Sequence, residues 1–264
     1  MKILVTGASG TVGKALTAVA VNSGDEVIAW NRHTAPPDNP DAGQHILDTV
    51  QPQALVHLAI PSQGTGRHDE GRLVNITWTE RLARAARDRN IPFLYVSTVM
   101  VYTDNAKGPF YPDMVPDATE GYGGEKRRGE LAAQEANPNA IIARIGWQIG
   151  HGPGGNNMID FFYNKMRDEG VIHASRKWLP ATSFVEDTAK ALRTIVHKAI
   201  PGVYLINSND QWNFYAIAQA LNQRHGGAWR IEPNEDFVYD QRMLDDRVII
   251  PSLADRFPEL QQFR

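Results

Sequence analysis

The chain opens MKILVTGASGTVGKALTAVAVN (residues 1–22), and the order of residue types in this stretch decides the fold. An apolar run, Ile3-Leu4-Val5, leads into glycines spaced Gly7-x-x-Gly10-x-x-Gly13, and an amphipathic segment follows. The pattern predicts a strand, a turn and a helix. In such a unit Gly7 makes the tight turn and Gly10 lets the backbone approach a pyrophosphate. Gly13 lets the helix pack close to the sheet, with its N-terminus facing the anion. Ser9, Thr11 and Val12 belong to the same turn and are expected to line a bound dinucleotide. Three glycines alone are weak evidence; their place between strand and helix gives them meaning. A Walker-type phosphate loop is excluded, because Ala8 stands where its first glycine belongs and Ala15, not Ser or Thr, follows Gly13-Lys14.

Beyond residue 22 short apolar runs alternate with longer amphipathic stretches, the pattern of βαβ units around a parallel sheet. Strands are expected near residues 2–6, 26–30, 54–59, 92–97 and 139–145, and helices near 11–23, 67–89, 121–136 and 155–168. The last third predicts a helix at 184–198, a strand at 202–207, a helix at 213–224 and a Pro-containing tail. Pro36-Pro37 and Pro40 mark a loop. The expected fold class is α/β: a Rossmann-like doubly wound parallel sheet with a small C-terminal substrate-binding lobe. Residues 1–150 would form the dinucleotide-binding core and 151–264 mostly the lobe, with 181–207 returning to the core.

Composition narrows the function classes. With 264 residues, 42% hydrophobic and 22% charged, the chain can bury a large core. A net charge of -3, with no basic run longer than Lys126-Arg127-Arg128, argues against a nucleic-acid partner. The lack of cysteine excludes a disulfide framework, a zinc finger and a thiol nucleophile. The histidines are dispersed without His-Glu-x-x-His spacing, so no metal is expected. Ser9 lacks the Gly-x-Ser-x-Gly elbow of a hydrolase nucleophile. No apolar run reaches about 18 residues and the N-terminus has no signal-peptide pattern, so the expectation is a cytoplasmic protein without a membrane partner.

The second strand ends Ala29-Trp30-Asn31-Arg32, without the carboxylate that an NAD-selecting site places on the ribose 2′-hydroxyl. Asn31 and Arg32 are expected at the adenosine ribose, where the guanidinium fork of Arg32 suits the extra phosphate of NADP. NADP(H) is therefore the expected cofactor and NAD(H) the alternative. His57, at a strand end, reads as a satisfied core histidine.

A second constellation is Tyr122-Gly123-Gly124-Glu125-Lys126, downstream of Ser97-Thr98. On a helix the Tyr-x-x-x-Lys spacing puts both side chains on one face. Thr98 falls at the strand edge where open α/β sheets bind ligands. A phenol with a pKa near 10 is a poor acid at neutral pH. A lysine cation at about 4 Å, in an effective dielectric of about 20, supplies roughly 4 kcal/mol, enough for a downward shift of about three units. Thr98, Tyr122 and Lys126 are the expected catalytic set.

These segments together resemble an extended short-chain dehydrogenase/reductase, most of all the dTDP-4-dehydrorhamnose reductase family. The matching stretches are VTGASGTVGKAL (5–16), HLA (57–59), VSTVMVY (96–102), YGGEKRRGE (122–130), RIGWQIGHGPGGNNMIDFF (144–162), PATSFVEDTAKAL (180–192) and GVYLINSNDQWNFYAIA (202–218). The resemblance implies hydride transfer from NAD(P)H to a carbonyl of a nucleotide-linked 4-keto-6-deoxysugar. It assigns proton donation to Tyr122, the nicotinamide ribose to Lys126 and the reacting oxygen to Thr98. Leu58 and Ala59 would lie against the cofactor, and Trp147, Asn156 and Asn157 would line the sugar-nucleotide site, although Trp147 also suits a core and the asparagines a helix cap. Homo-oligomers are usual in the family. The chain departs from it at Val99-Met100, where Asp-Tyr is usual, and at Ser175-Arg176-Lys177-Trp178-Leu179, where a Gln-x-Gly segment is usual. The 31–53 segment is short and rich in Pro and Asp, which predicts altered adenine contacts. The resemblance leaves two alternatives: a non-catalytic NADP-binding regulatory subunit, like that of methionine adenosyltransferase, and an NAD-dependent sugar-nucleotide epimerase or dehydratase.

Overall fold

The computed structural model describes residues 1–61 and 68–263. The first residue of the helix expected at 67–89 lies outside that range. The opening stretch folds as read, with β1 (Lys2–Thr6), the glycine turn and α1 (Thr11–Asn22) followed by β2 (Glu26–Ala29). Next come α2 (Pro40–Val50) and β3 (Ala54–His57). A helical run then passes from α3 (Glu70–Arg72) through a π-turn (Leu73–Trp78) into α4 (Thr79–Asp88), and β4 (Phe93–Thr98) follows. After a long connection, α5 (Gly121–Ala136) precedes β5 (Ile141–Ile145) and β6 (Trp147–Ile149).

The remainder runs α6 (Met158–Glu169), β7 (Ile172–Ser175), β8 (Trp178–Leu179), β9 (Thr182–Phe184), α7 (Val185–Lys198) and β10 (Gly202–Ile206). It ends with α8 (Phe214–Arg224), β11 (Ile231–Asn234), β12 (Tyr239–Asp240) and α9 (Leu253–Arg256).

Among the described residues one six-stranded sheet has the order β10-β5-β4-β3-β1-β2, and every pairing in it is parallel. The strands alternate strictly because successive side chains point to opposite faces. Leu4, Leu55, Phe93, Tyr95 and Ile142 pack on one face with Trp78, Leu82 and Ala133. Ile3, Val5, Val56, Leu94, Val96, Ile141 and Ala143 pack on the other with Leu16, Ala20, Leu192 and Val196. Helices therefore cover both faces, α4 and α5 on one and α1 and α7 on the other. This is the doubly wound Rossmann-like arrangement. The chain turns back between β1 and β3, so a crevice opens at their carboxyl ends, the topological switch point at which such sheets bind ligands. A separate apolar cluster, with Met158, Phe162, Trp212, Phe214, Leu221, Trp229 and Phe257, lies in the C-terminal half.

The structure departs from the sequence reading in several places, among them the short strands β6 to β9, β11 and β12, which the apolar pattern does not mark. Residues 40–50 are helical rather than loop, because Pro40 occupies the first helical position, where its fixed φ fits and its missing N–H is not needed. Asn39 caps that helix by accepting from the Ala42 N–H at 3.1 Å. The strand expected at 54–59 ends at His57, and the next N–H, that of Leu58, still donates to the Thr6 carbonyl at 3.1 Å.

Candidate active site

The glycine turn is built as its spacing requires. Gly7 adopts φ +71°, and a β-carbon there would stand 2.7 Å from the Ala59 nitrogen. At Gly13 it would stand 2.1 Å from the Gly7 carbonyl oxygen, so α1 can reach the turn only with glycine at 13. Gly10 is exposed, caps α1 without a side chain, and donates its N–H to the Gly7 carbonyl at 3.1 Å. No acidic residue occupies the first turn of α1. The first N–H groups of a helix have no partner within it and carry the positive end of its dipole. This cradle of bare backbone and uncapped N–H groups fits a pyrophosphate. Ser9 is exposed at its rim, Thr11 and Val12 are half-buried beside it, and Leu58 and Ala59 back it from the end of β3.

Arg32 does project near this end of the sheet, but its guanidinium is engaged. Nη2 donates to Oε1 of the buried Glu70 at 2.6 Å. Asn31 folds the loop on itself by accepting from the His33 N–H at 2.9 Å. His57 is a core histidine, between the hydroxyls of Thr6 at 2.6 Å and Thr79 at 3.0 Å. Burial, helped by the nearby Lys126 charge, pulls its pKa down to about 3, so it is neutral and plays no acid role.

Two elements bring the expected catalytic residues together. Thr98 ends β4, and its Oγ1 accepts from the Met100 N–H at 3.2 Å, which fixes the short turn that follows. The N-terminus of α5 lies directly on that turn, because a β-carbon at Gly123 would stand 2.0 Å from the Met100 carbonyl oxygen. Tyr122 and Lys126 share a face of α5 one turn apart. Lys126 is buried, its Nζ donates to the Val96 carbonyl at 2.7 Å, and it sits 4.2 Å above the Tyr95 ring centroid. Burial pulls its pKa down to about 7, against the opposing pull of Glu130. Tyr122 remains 39% exposed. Burial of the rest and the Glu125 carboxylate lift its pKa to about 12. The expected acidification of Tyr122 by Lys126 is therefore not found: the ammonium is spent on a strand carbonyl and an aromatic face, and the charge that reaches the phenol is negative.

The sugar-side residues divide. Trp147 is partly exposed in an aromatic group, stacked on Trp178 at 6.0 Å and edge-on to Phe161 at 5.1 Å. Asn156 is exposed. Asn157 is buried and acts as the helix cap, its Oδ1 accepting from the N–H groups of Ile159 at 2.9 Å and Asp160 at 3.1 Å. At the two departures after Thr98, Val99 is buried while Met100 is 51% exposed, so an apolar thioether rims the site. Two features escaped the sequence reading. A β-carbon at Gly155 would stand 2.6 Å from Thr11 Oγ1, so the Gly-rich loop before α6 rests on the dinucleotide turn. Gly71 and Asn75 meet Glu125 across the helix interface. Nothing in their spacing marks either feature, since both contacts join segments about 50 or more residues apart.

The family described as "RmlD substrate binding domain" matches residues 1–239. A dTDP-4-dehydrorhamnose reductase of Aggregatibacter actinomycetemcomitans is 26% identical over 205 residues, 76% of this chain and 69% of that one. The crystal structure of a dTDP-4-dehydrorhamnose reductase from Clostridium acetobutylicum superposes with a TM-score of 0.82 at 20% identity, covering 99% of this chain and 100% of that one. The enzyme of that name from Bacillus anthracis, in complex with NADP, gives a TM-score of 0.81 at 17% identity, covering 99% and 98%.

Proposed function

The chain belongs to the RmlD substrate binding domain family, and from that premise we propose that it is an NADPH-dependent reductase of an extended short-chain dehydrogenase type, acting on the keto group of a nucleotide-linked deoxysugar. The observation that carries this reading is the placement of Thr98, Tyr122 and Lys126 around the carboxyl end of β4, two strands from the Gly7–Gly13 cradle. Relatives named dTDP-4-dehydrorhamnose reductase support the substrate class. In this reading residues 1–150 form the cofactor core, and most of 151–264, apart from the returning 181–207, holds the sugar nucleotide.

The backbone of residues 10–13 would hold the pyrophosphate, Leu58 and Ala59 would lie against the cofactor, and Asn31 and Arg32 would meet the adenosine end. When bound, NADPH supplies the hydride. Thr98 offers its hydroxyl to the carbonyl oxygen, and Tyr122 gives that oxygen its proton. A phenol lifted to about 12 is protonated at neutral pH but is a weaker acid than a free phenol, so the transfer relies on the strong basicity of the alkoxide that hydride addition creates. Lys126, whose ammonium rests on the Val96 carbonyl, would hold the nicotinamide ribose. Pre-aligned donors stabilise the developing oxyanion, and orientation of the two reactants contributes the entropic part.

The test follows NADPH oxidation at 340 nm over a panel of nucleotide-linked keto-sugars, with NADH in parallel. We expect turnover of a dTDP-linked 4-keto-6-deoxysugar with NADPH preferred about tenfold, and loss of that preference in Arg32→Ala, since one charge-assisted hydrogen bond to phosphate is worth about 1.5–3 kcal/mol. NADPH binding without turnover of any keto-sugar would favour the regulatory subunit, NAD retained through purification the epimerase, and no dinucleotide binding would sink the reading.

A further inference from the structure

Glu125 lies between the tyrosine and the lysine of α5, and its carboxylate is held by a neighbour outside the catalytic set. Oε2 accepts from Asn75 Nδ2 at 2.9 Å. Asn75 is fully buried in the π-turn between α3 and α4. Its main-chain carbonyl receives the Thr79 hydroxyl at 2.9 Å and the Tyr95 hydroxyl at 3.3 Å. The Tyr95 ring is the one beneath the Lys126 ammonium. Asn75 thus links Glu125 to the seat of the lysine.

Two glycines make the approach possible. A β-carbon at Gly129 would stand 2.2 Å from the Asn75 carbonyl oxygen, so α5 meets the π-turn with no side chain between. A β-carbon at Gly71 would stand 2.4 Å from Glu125 Oε1, so this carboxylate has its space only because residue 71 has no side chain.

We propose that Glu125 is a positioning residue of the reduction: by gripping Asn75 it fixes the roll of α5 about its axis, and with it the places of Tyr122 and Lys126 relative to Thr98. The inference rests on the reductase reading. Side-chain atoms lie about 5 Å from a helix axis, so a roll of about 10° moves them by about 1 Å. A misplacement of about 1 Å costs on the order of 100-fold in rate.

Glu125→Ala is expected to lower kcat about 10- to 100-fold with the NADPH Kd unchanged. Glu125→Gln, whose amide oxygen still accepts from Asn75, is expected to recover most of that loss. Gly71→Ala should copy Glu125→Ala in the wild-type chain and add nothing in the Glu125→Ala background. Amide hydrogen exchange over residues 70–79 and 121–130 reads the same clamp without substrate, faster in Glu125→Ala and near wild type in Glu125→Gln. Wild-type kcat in Glu125→Ala, additive effects of the two substitutions, or unchanged exchange each overturns the proposal. A wild-type protein that reduces no keto-sugar overturns the reductase reading instead, and the exchange arm then decides whether Glu125 sets α5.

Discussion

Tyr122→Phe is expected to lower kcat for keto-sugar reduction by about 10²- to 10⁴-fold, the range in which a positioned acid contributes to proton transfer, while NADPH binds within about threefold of wild type. The substitution removes one oxygen from a side chain that is 39% exposed, and among the described residues its hydroxyl makes no hydrogen bond, so the loss reports chemistry rather than folding. In the proposed mechanism Lys126 sets the pH range. Below about 7 it is an ammonium that can donate to a ribose; above that value burial leaves it a neutral amine. Hence kcat/KM is expected to fall as pH rises through about 7, far below the value of about 12 at which Tyr122 gives up its proton. Stopped-flow turnover and a pH profile of both proteins check this. A Phe variant within tenfold of wild type would remove Tyr122 from the proton path, and a profile flat to pH 9 would show that Lys126 is not the group that limits it.

The frame of the molecule was legible in the sequence because it is local. Continuous apolar runs such as Ile3-Leu4-Val5 name a strand, and the Gly7, Gly10 and Gly13 spacing names the turn and the packed helix without help from distant residues. The Tyr122 and Lys126 pair was legible for the same reason, since both sit on one helix. What the sequence could not carry is contact between segments far apart along the chain. The charge felt by Tyr122 depends on where the Lys126 ammonium finds a partner, and that partner is a strand carbonyl at Val96. Arg32 looked available for a phosphate, yet Glu70, 38 residues on, has claimed part of its fork. The Pro-rich 36–40 segment misled for a different reason: proline reads as a breaker, and only its position relative to Asn39 turns it into a helix start.

Arg144→Met is expected to destabilise the fold by about 3–5 kcal/mol, the cost of leaving one member of a buried ion pair alone. Arg144, on β5, forms a bidentate pair with Glu130 of α5: Nε donates to Oε1 at 3.0 Å and Nη2 to Oε2 at 2.7 Å. Its third donor, Nη1, reaches the Tyr102 hydroxyl at 2.8 Å, and that hydroxyl donates to the Met114 carbonyl at 3.0 Å. Both charged side chains are about 95% buried, so neither is rescued by water when its partner is removed. The pair ties the middle of the helix that carries Tyr122 and Lys126 to the strand beside β4. Removing Arg144 strands a carboxylate in the core and a phenol that has lost its donor. The double variant Arg144→Met/Glu130→Leu removes both charges, and we expect it to be more stable than Arg144→Met, because the desolvation penalty goes with the attraction. Urea unfolding of the three proteins measures the cycle. A cost under about 1 kcal/mol for Arg144→Met, or a double variant less stable than the single, would mean that the pair does not anchor α5.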